Sequence, residues 1–174
     1  METFLKNNCT LMFSFNTASK EGTIKRAVEF SRLLKAGDRV ALSGNLGSGK
    51  THFVKGAVKG WGGNYKTVQS PTFNLVKTYE EAKWIIYHFD LYRLKDFDEL
   101  ERTGYSEMIS DPRALSFVEW PEMVAETWKD FDYAVKFFHK GGNKRMILVY
   151  RRKIGNAKSR HLKKSGSTRK AGAK

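Results

Sequence analysis

The segment Gly44-Asn45-Leu46-Gly47-Ser48-Gly49-Lys50-Thr51 fits the pattern G-x-x-x-x-G-K-[ST], and its residue types are those that polyphosphate binding requires. Glycines let successive backbone N–H groups turn toward one centre with no side chain in the way. A helix starting at the lysine adds the positive end of its dipole. Lys50 is the cation that can meet the β- and γ-phosphates, and Thr51 offers a hydroxyl to Mg²⁺. His52 follows directly and belongs to the same nucleotide-binding segment. The expected ligand is a nucleoside triphosphate. Guanine readers usually carry Asn-Lys-x-Asp, which Asn64-Tyr65-Lys66 and Asn143-Lys144-Arg145-Met146 both break. No Asp-x-x-Gly follows the loop either, so ATP with Mg²⁺ is favoured over GTP.

Such a loop needs an acid at the end of a neighbouring strand to hold Mg²⁺, directly or through water. Glu119 ends the apolar run Leu115–Val118, and Asp90 ends Trp84–Phe89. Period-two alternation turns His88 and Asp90 to one face. Asp90 could orient the attacking water, and either acid could instead cap a turn or meet a surface lysine. In Ser70-Pro71-Thr72-Phe73, Thr72 could present a hydroxyl to phosphate or metal, or the segment could be a plain turn. His88 could equally be a packed strand residue, and Arg93 a phosphate clamp or a surface ion pair.

The elements that must carry these groups follow from periodicity. Ile24, Ala27, Val28, Phe30 and Leu34 give a helix over about Thr23–Lys35. Arg39–Ser43 reads as a short strand before the glycine-rich loop. Phe53, Val54, Ala57, Val58 and Trp61 continue as a helix beginning around Lys50. Thr67–Gln69 is expected as a short strand. Phe73–Tyr79 and Trp84–Asp90 read as two strands around Glu80–Lys83, and Asp96–Arg102 as a short helix. Leu115–Val118 is a buried strand, and Tyr133–His139 with Arg145–Arg151 form a hairpin around Lys140–Asn143. Helix–strand alternation followed by hairpins implies a three-layer α/β fold of the P-loop NTPase kind, with a mixed central sheet.

The 174 residues suit one domain and a tail. With one cysteine, Cys9, an intrachain disulfide is impossible. Apolar runs such as Met146–Tyr150 fall far short of the roughly 20 residues of a membrane helix. No long apolar region opens the chain, so a cytoplasmic soluble protein without membrane contact is expected. The net charge of +14 is unevenly spread. Residues 151–174 hold ten of the 32 Lys/Arg and none of the 18 Asp/Glu. The organisation expected is an ATPase domain over 1–150 and a disordered basic tail over 151–174.

Four segments occur in order: the glycine-rich loop, Ser70-Pro71-Thr72-Phe73, His88-Phe89-Asp90-Leu91-Tyr92-Arg93 and Glu119-Trp120-Pro121-Glu122. As a set they resemble the TsaE (YjeE) family, across about residues 14–150. The loop alone is shared by many families; its combination with the other motifs is specific. The resemblance implies a weak ATPase of tRNA N6-threonylcarbamoyladenosine biosynthesis that works with TsaB and TsaD, and so meets tRNA indirectly. It also implies that Lys50 contacts phosphates, that Thr51 and Glu119 hold Mg²⁺, that Asp90 supports hydrolysis and that Thr72 senses the nucleotide. Trp120 would sit beside the nucleotide site or serve as a core aromatic. Asn45 and His52 stand where the family often has Asp and Thr. Two other readings compete. One is a metabolite kinase drawing on Arg93, Arg102 and Arg113. The other is an RNA-binding protein whose tail makes nonspecific, salt-sensitive phosphate contacts.

Overall fold

The structure, a computed structural model, describes residues 2–153. A short helix α1 (Glu2–Asn8) leads into β1 (Cys9–Thr17), then α2 (Lys20–Ser31), β2 (Arg39–Ser43) and α3 (Lys50–Gly60). After these come β3 (Val76–Glu81), β4 (Trp84–Asp90), α4 (Phe97–Glu101), α5 (Tyr105–Ser110), β5 (Ala114–Glu119), β6 (Tyr133–His139) and β7 (Arg145–Arg152). Short 3-10 segments lie at Tyr65–Thr67, Pro121–Met123 and Ala125–Asp130.

The strands form one sheet in the order β1-β7-β6-β2-β5-β4-β3. Its centre, β6-β2-β5-β4, is parallel. Antiparallel strands close both flanks, β7 and β1 on one side and β3 on the other. Buried on both faces, β5 has all six residues out of solvent, as the continuous run Ala114–Glu119 requires. One face packs on α2 and α3 through Val40, Leu42, Phe53, Ile86, Phe117 and Phe137. The other packs Ala41, Phe89 and Val118 against Leu100, Tyr105, Trp128 and Phe131. The three-layer α/β fold with a mixed sheet is therefore the architecture found.

Ser19 starts α2, its hydroxyl accepting from Gly22 N at 3.0 Å. That cap sets the start three residues earlier than apolar spacing alone implies. The two helices on this face nearly touch at Gly56. A Cβ there would lie 2.4 Å from both Ala27 Cβ and Ile24 O, so only hydrogen fits between them.

Several expectations shift. Thr67–Gln69 is not a strand. Asn64 caps a 3-10 turn there by accepting from Lys66 N, and only Val68 turns inward. The strand expected from Phe73 begins at Val76, because Asn74 N and Leu75 N both donate to Pro71 O and close a turn. At the other end β7 continues through Arg152, whose N–H donates to Asp132 O, and Lys153 N reaches Asn8 O. Arg151 and Arg152 thus belong to the sheet rather than to the tail, and residues 154–174 of the expected tail lie outside the described residues.

Candidate functional site

Parallel pairing brings the C-terminal ends of β2, β4 and β5 side by side, with Leu42 opposite Glu119 and Asp90 opposite Glu119. Alternation places Glu119, Asp90 and His88 on the face that also carries Leu42, Ile86 and Phe117 against α3. The glycine-rich loop leaves β2 at this edge and turns into α3.

Two glycines show why no other residue serves. Gly44, at φ 151°, would put a Cβ 2.8 Å from Phe137 O and 2.9 Å from Phe137 Cβ. Gly47, at φ 73°, has nothing within 4 Å of such a Cβ, so the crest of the loop is open. Lys50 opens α3 and folds back, Nζ donating to Gly44 O at 2.7 Å and Asn45 O at 3.2 Å. The ammonium also lies 3.8 Å from the Trp120 ring centroid. Burial pushes its pKa below the usual lysine value, while Glu119, Glu122 and Asp90 act the other way. Ser48 is buried, and its hydroxyl has no partner among the described residues.

Thr51 Oγ1 donates to Glu119 Oε1 at 2.9 Å. The same oxygen lies 2.9 Å from His88 Nε2. A carboxylate only accepts, so Nε2 carries the proton. His88 has no exposed surface and its Nδ1 has no partner among the described residues. Asp90 takes three donors: Ser70 Oγ at 2.6 Å and Thr72 Oγ1 at 2.5 Å on Oδ2, and Tyr92 N at 3.1 Å on Oδ1.

These groups, with His88 buried behind them, define one cleft of about 330 Å³. Leu46, Gly47, Ser48, Gly49, Lys50, Thr51 and His52 contribute to it from the loop and α3, and Thr72, Asp90 and Glu119 from the neighbouring segments. Gly44 and Asn45 contribute the carbonyls that hold Lys50. Apart from Arg93, the residues singled out in the sequence for nucleotide or metal are found at this edge. Trp120 lies in the cleft lining, with the Tyr92 ring tilted against it at 4.9 Å between ring centroids. Its φ of 58° followed by Pro121 turns the chain sharply there.

Residues 17–147 match the family model described as threonylcarbamoyl adenosine biosynthesis protein TsaE. The chain belongs to the TsaE family. The TsaE of Aquifex aeolicus is 40% identical over 135 residues, covering 77% of this chain and 92% of that protein. The TsaE of Rickettsia conorii is 41% identical over 106 residues, covering 61% of this chain. The chain spans 59% of the length of that relative and 61% of the Rickettsia felis protein. The crystal structure of a Bacillus YdiB covers 82% of this chain and 87% of its own, with TM-score 0.60 at 24% identity. That likeness concerns the fold.

In this TsaE-family chain the cleft holds groups that spacing did not single out. Ser70 shares Asp90 with Thr72, and Ser-Pro-Thr was the available signal. Tyr92 contributes a backbone donor and a ring. The His88–Glu119 bond depends on cross-strand register, which local sequence does not carry. Arg93 lies with its guanidinium 4.3 Å from the Phe73 centroid, outside the cleft lining, and Arg113 pairs with Asp111 at 3.0 Å. No helix among the described residues is long and apolar enough to cross a membrane.

Proposed function

We propose that this protein is a Mg²⁺-dependent ATPase, slow on its own, that serves tRNA threonylcarbamoyladenosine formation together with TsaB and TsaD homologues. The observation that carries this reading is the convergence of Lys50, the Thr51–Glu119 pair and Asp90 on one cleft, in a chain of the TsaE family. The residues present fit a polyphosphate. The loop crest is open, the Ser48 hydroxyl is buried with no partner among the described residues, and the Lys50 ammonium is held by two neutral carbonyls and the Trp120 ring. On binding, Lys50 exchanges those carbonyls for phosphate oxygens, which as charged acceptors bond it more strongly.

Thr51 and Glu119 would hold Mg²⁺, an ion that usually takes one or two protein oxygens along with phosphate and water. A Mg²⁺ ion held there would supply positive charge to offset that of the phosphates. Glu119 is prepared for this by His88, which fixes one carboxylate oxygen from the protein side.

Asp90 is the acid that orients the attacking water. Its carboxylate is occupied by the Ser70 and Thr72 hydroxyls and the Tyr92 amide, so its oxygens are engaged by the protein rather than aimed at a water. Slow intrinsic turnover follows. A partner that draws the Ser70–Thr72 segment away frees Asp90 and raises the rate. Residues up to Lys153 carry the activity, and residues 154–174 are an accessory whose cations give salt-sensitive contact with RNA.

The test is reconstitution of tRNA modification with TsaB, TsaD and a threonylcarbamoyl-adenylate source. Multi-turnover modification should require this protein and survive deletion of residues 154–174. Full modification without the protein would overturn the assignment. Loss on truncation would overturn the view of the tail.

A further inference from the structure

Arg145, at the start of β7, is 7% exposed. Its Nε donates to Ser48 O at 3.1 Å, and Nη1 to Asn143 O at 2.7 Å. The side chain lies against Gly49, where an added Cβ would be 3.3 Å from Nε and 3.4 Å from Cδ. The ion pairs of the described residues leave Arg145 without a carboxylate. A guanidinium keeps its charge inside a protein, and burying it without an anion is costly. Arg26 and Arg113, by contrast, are exposed and each has a carboxylate. Like Lys50, Arg145 is a buried cation without one, and it touches the loop that would receive the most highly charged ligand.

The peptide plane makes the contact directional. Ser48 C=O and Gly49 N–H point in opposite senses across one trans amide. Drawing the carbonyl toward Arg145 turns the Gly49 N–H away from it. Ser48 and Gly49 both line the cleft. The charge is felt there too: His52, also in the lining, is held below the usual histidine pKa first by burial, then by Lys55, Lys20 and Arg145.

We propose that Arg145 is a positioning residue of the phosphate loop, fixing the Ser48–Gly49 peptide so that its N–H faces the ligand and contributing an unneutralised charge that attracts polyphosphate. This rests on the nucleotide reading above. Since loop amides cradle the α- and β-phosphates, ATP and ADP share the benefit.

The experiment titrates the full chain with ATP, ADP and inorganic tripolyphosphate from low to high salt, for wild type, Arg145→Met, Arg145→Lys and Lys50→Ala. Arg145→Met should weaken ATP and ADP by a similar factor, about tenfold or more, and flatten the salt dependence of binding. Arg145→Lys keeps the charge but lacks the Nε fork. It should retain the wild-type salt dependence while recovering only part of the affinity. A merely structural role would lower the melting temperature without changing the salt dependence, and that result overturns the inference. So does wild-type affinity in a folded Arg145→Met variant. If Arg145→Met fails to fold, wild-type affinity in Arg145→Lys overturns the positioning role and partial affinity supports it. Wild-type protein that binds none of the three ligands overturns the nucleotide reading itself, and this inference with it.

Discussion

Asp90→Asn tests whether this acid acts on the barrier rather than on the bound ground state. Asp90 accepts from Ser70 Oγ, Thr72 Oγ1 and Tyr92 N and is 2% exposed. Asparagine offers one acceptor oxygen. If that oxygen keeps Tyr92 N–H, the amide nitrogen faces the two hydroxyls, which must turn and accept. Each of those bonds changes from charge-assisted to neutral, a loss of about 1 kcal/mol apiece. Relief of a buried charge offsets part of this. The net cost is about 1–2 kcal/mol, or a melting temperature lower by roughly 2–8 °C for a chain of this size. ATP affinity should stay within about threefold of wild type, because Lys50, Thr51 and Glu119 are untouched. Turnover should fall about 100-fold or more, the usual worth of a positioned base. Calorimetry gives the affinity and single-turnover hydrolysis the rate. Turnover within about threefold of wild type would refute the reasoning, as would equal losses in affinity and rate.

Lys50→Ala should weaken ATP by about 10- to 150-fold, the worth of one charge-assisted contact of roughly 1.5–3 kcal/mol. Calorimetry on a folded variant checks it, and unchanged affinity would remove the phosphate role. Glu119→Gln should abolish the enhancement of ATP binding by Mg²⁺ while leaving metal-free binding near wild type, read as the ratio of the two dissociation constants. Gly56→Ala gains about 1 kcal/mol of helix propensity but sets a methyl 2.4 Å from Ala27 Cβ and Ile24 O. With overpacking at about 1–3 kcal/mol, the variant should be less stable in urea, and a more stable one would contradict the packing. Burial, followed by Asp130, pushes the Tyr105 phenol pKa above its ordinary value. The unfolded chain therefore loses that proton first, and stability declines as pH rises past about 10. Tyr105→Phe should flatten that decline while costing about 1 kcal/mol at neutral pH through the lost bond to Asp130; parallel urea-derived curves would show the sign to be wrong.

The glycine-rich loop was legible because its pattern is local: glycine positions, lysine and threonine all lie within eight residues, between a strand and a helix. Glu119 and Asp90 were legible as strand ends, and the fold as alternation followed by hairpins. β1 was not. Cys9–Thr17 is an edge strand with mixed burial, held by pairing with β7 at the other end of the chain. α5, six residues long, is too short to establish a period. Thr67–Gln69 looked like a strand because Val68 is apolar, yet one inward side chain on a turn satisfies that pattern. The bond between His88 and Glu119 joins residues 31 apart, and no local rule specifies which strand lies beside which.

The sheet joins its first and last strands in sequence: β7 lies between β1 and β6, and its first residue fastens the loop 97 positions earlier. This has a consequence for synthesis on the ribosome. When Lys50 and Thr51 emerge, neither the acids of β4 and β5 nor the strand behind the loop exists. A nascent chain ending before Arg145 has the whole G-x-x-x-x-G-K-T motif and an unsupported loop. Nucleotide capture should therefore appear late and abruptly in a series of stalled chains of increasing length, once the final hairpin has cleared the exit tunnel. On the proposed ATP-binding reading, the ligand would then stabilise only the completed fold, and a cell's ATP would act as a check on chains that finished folding.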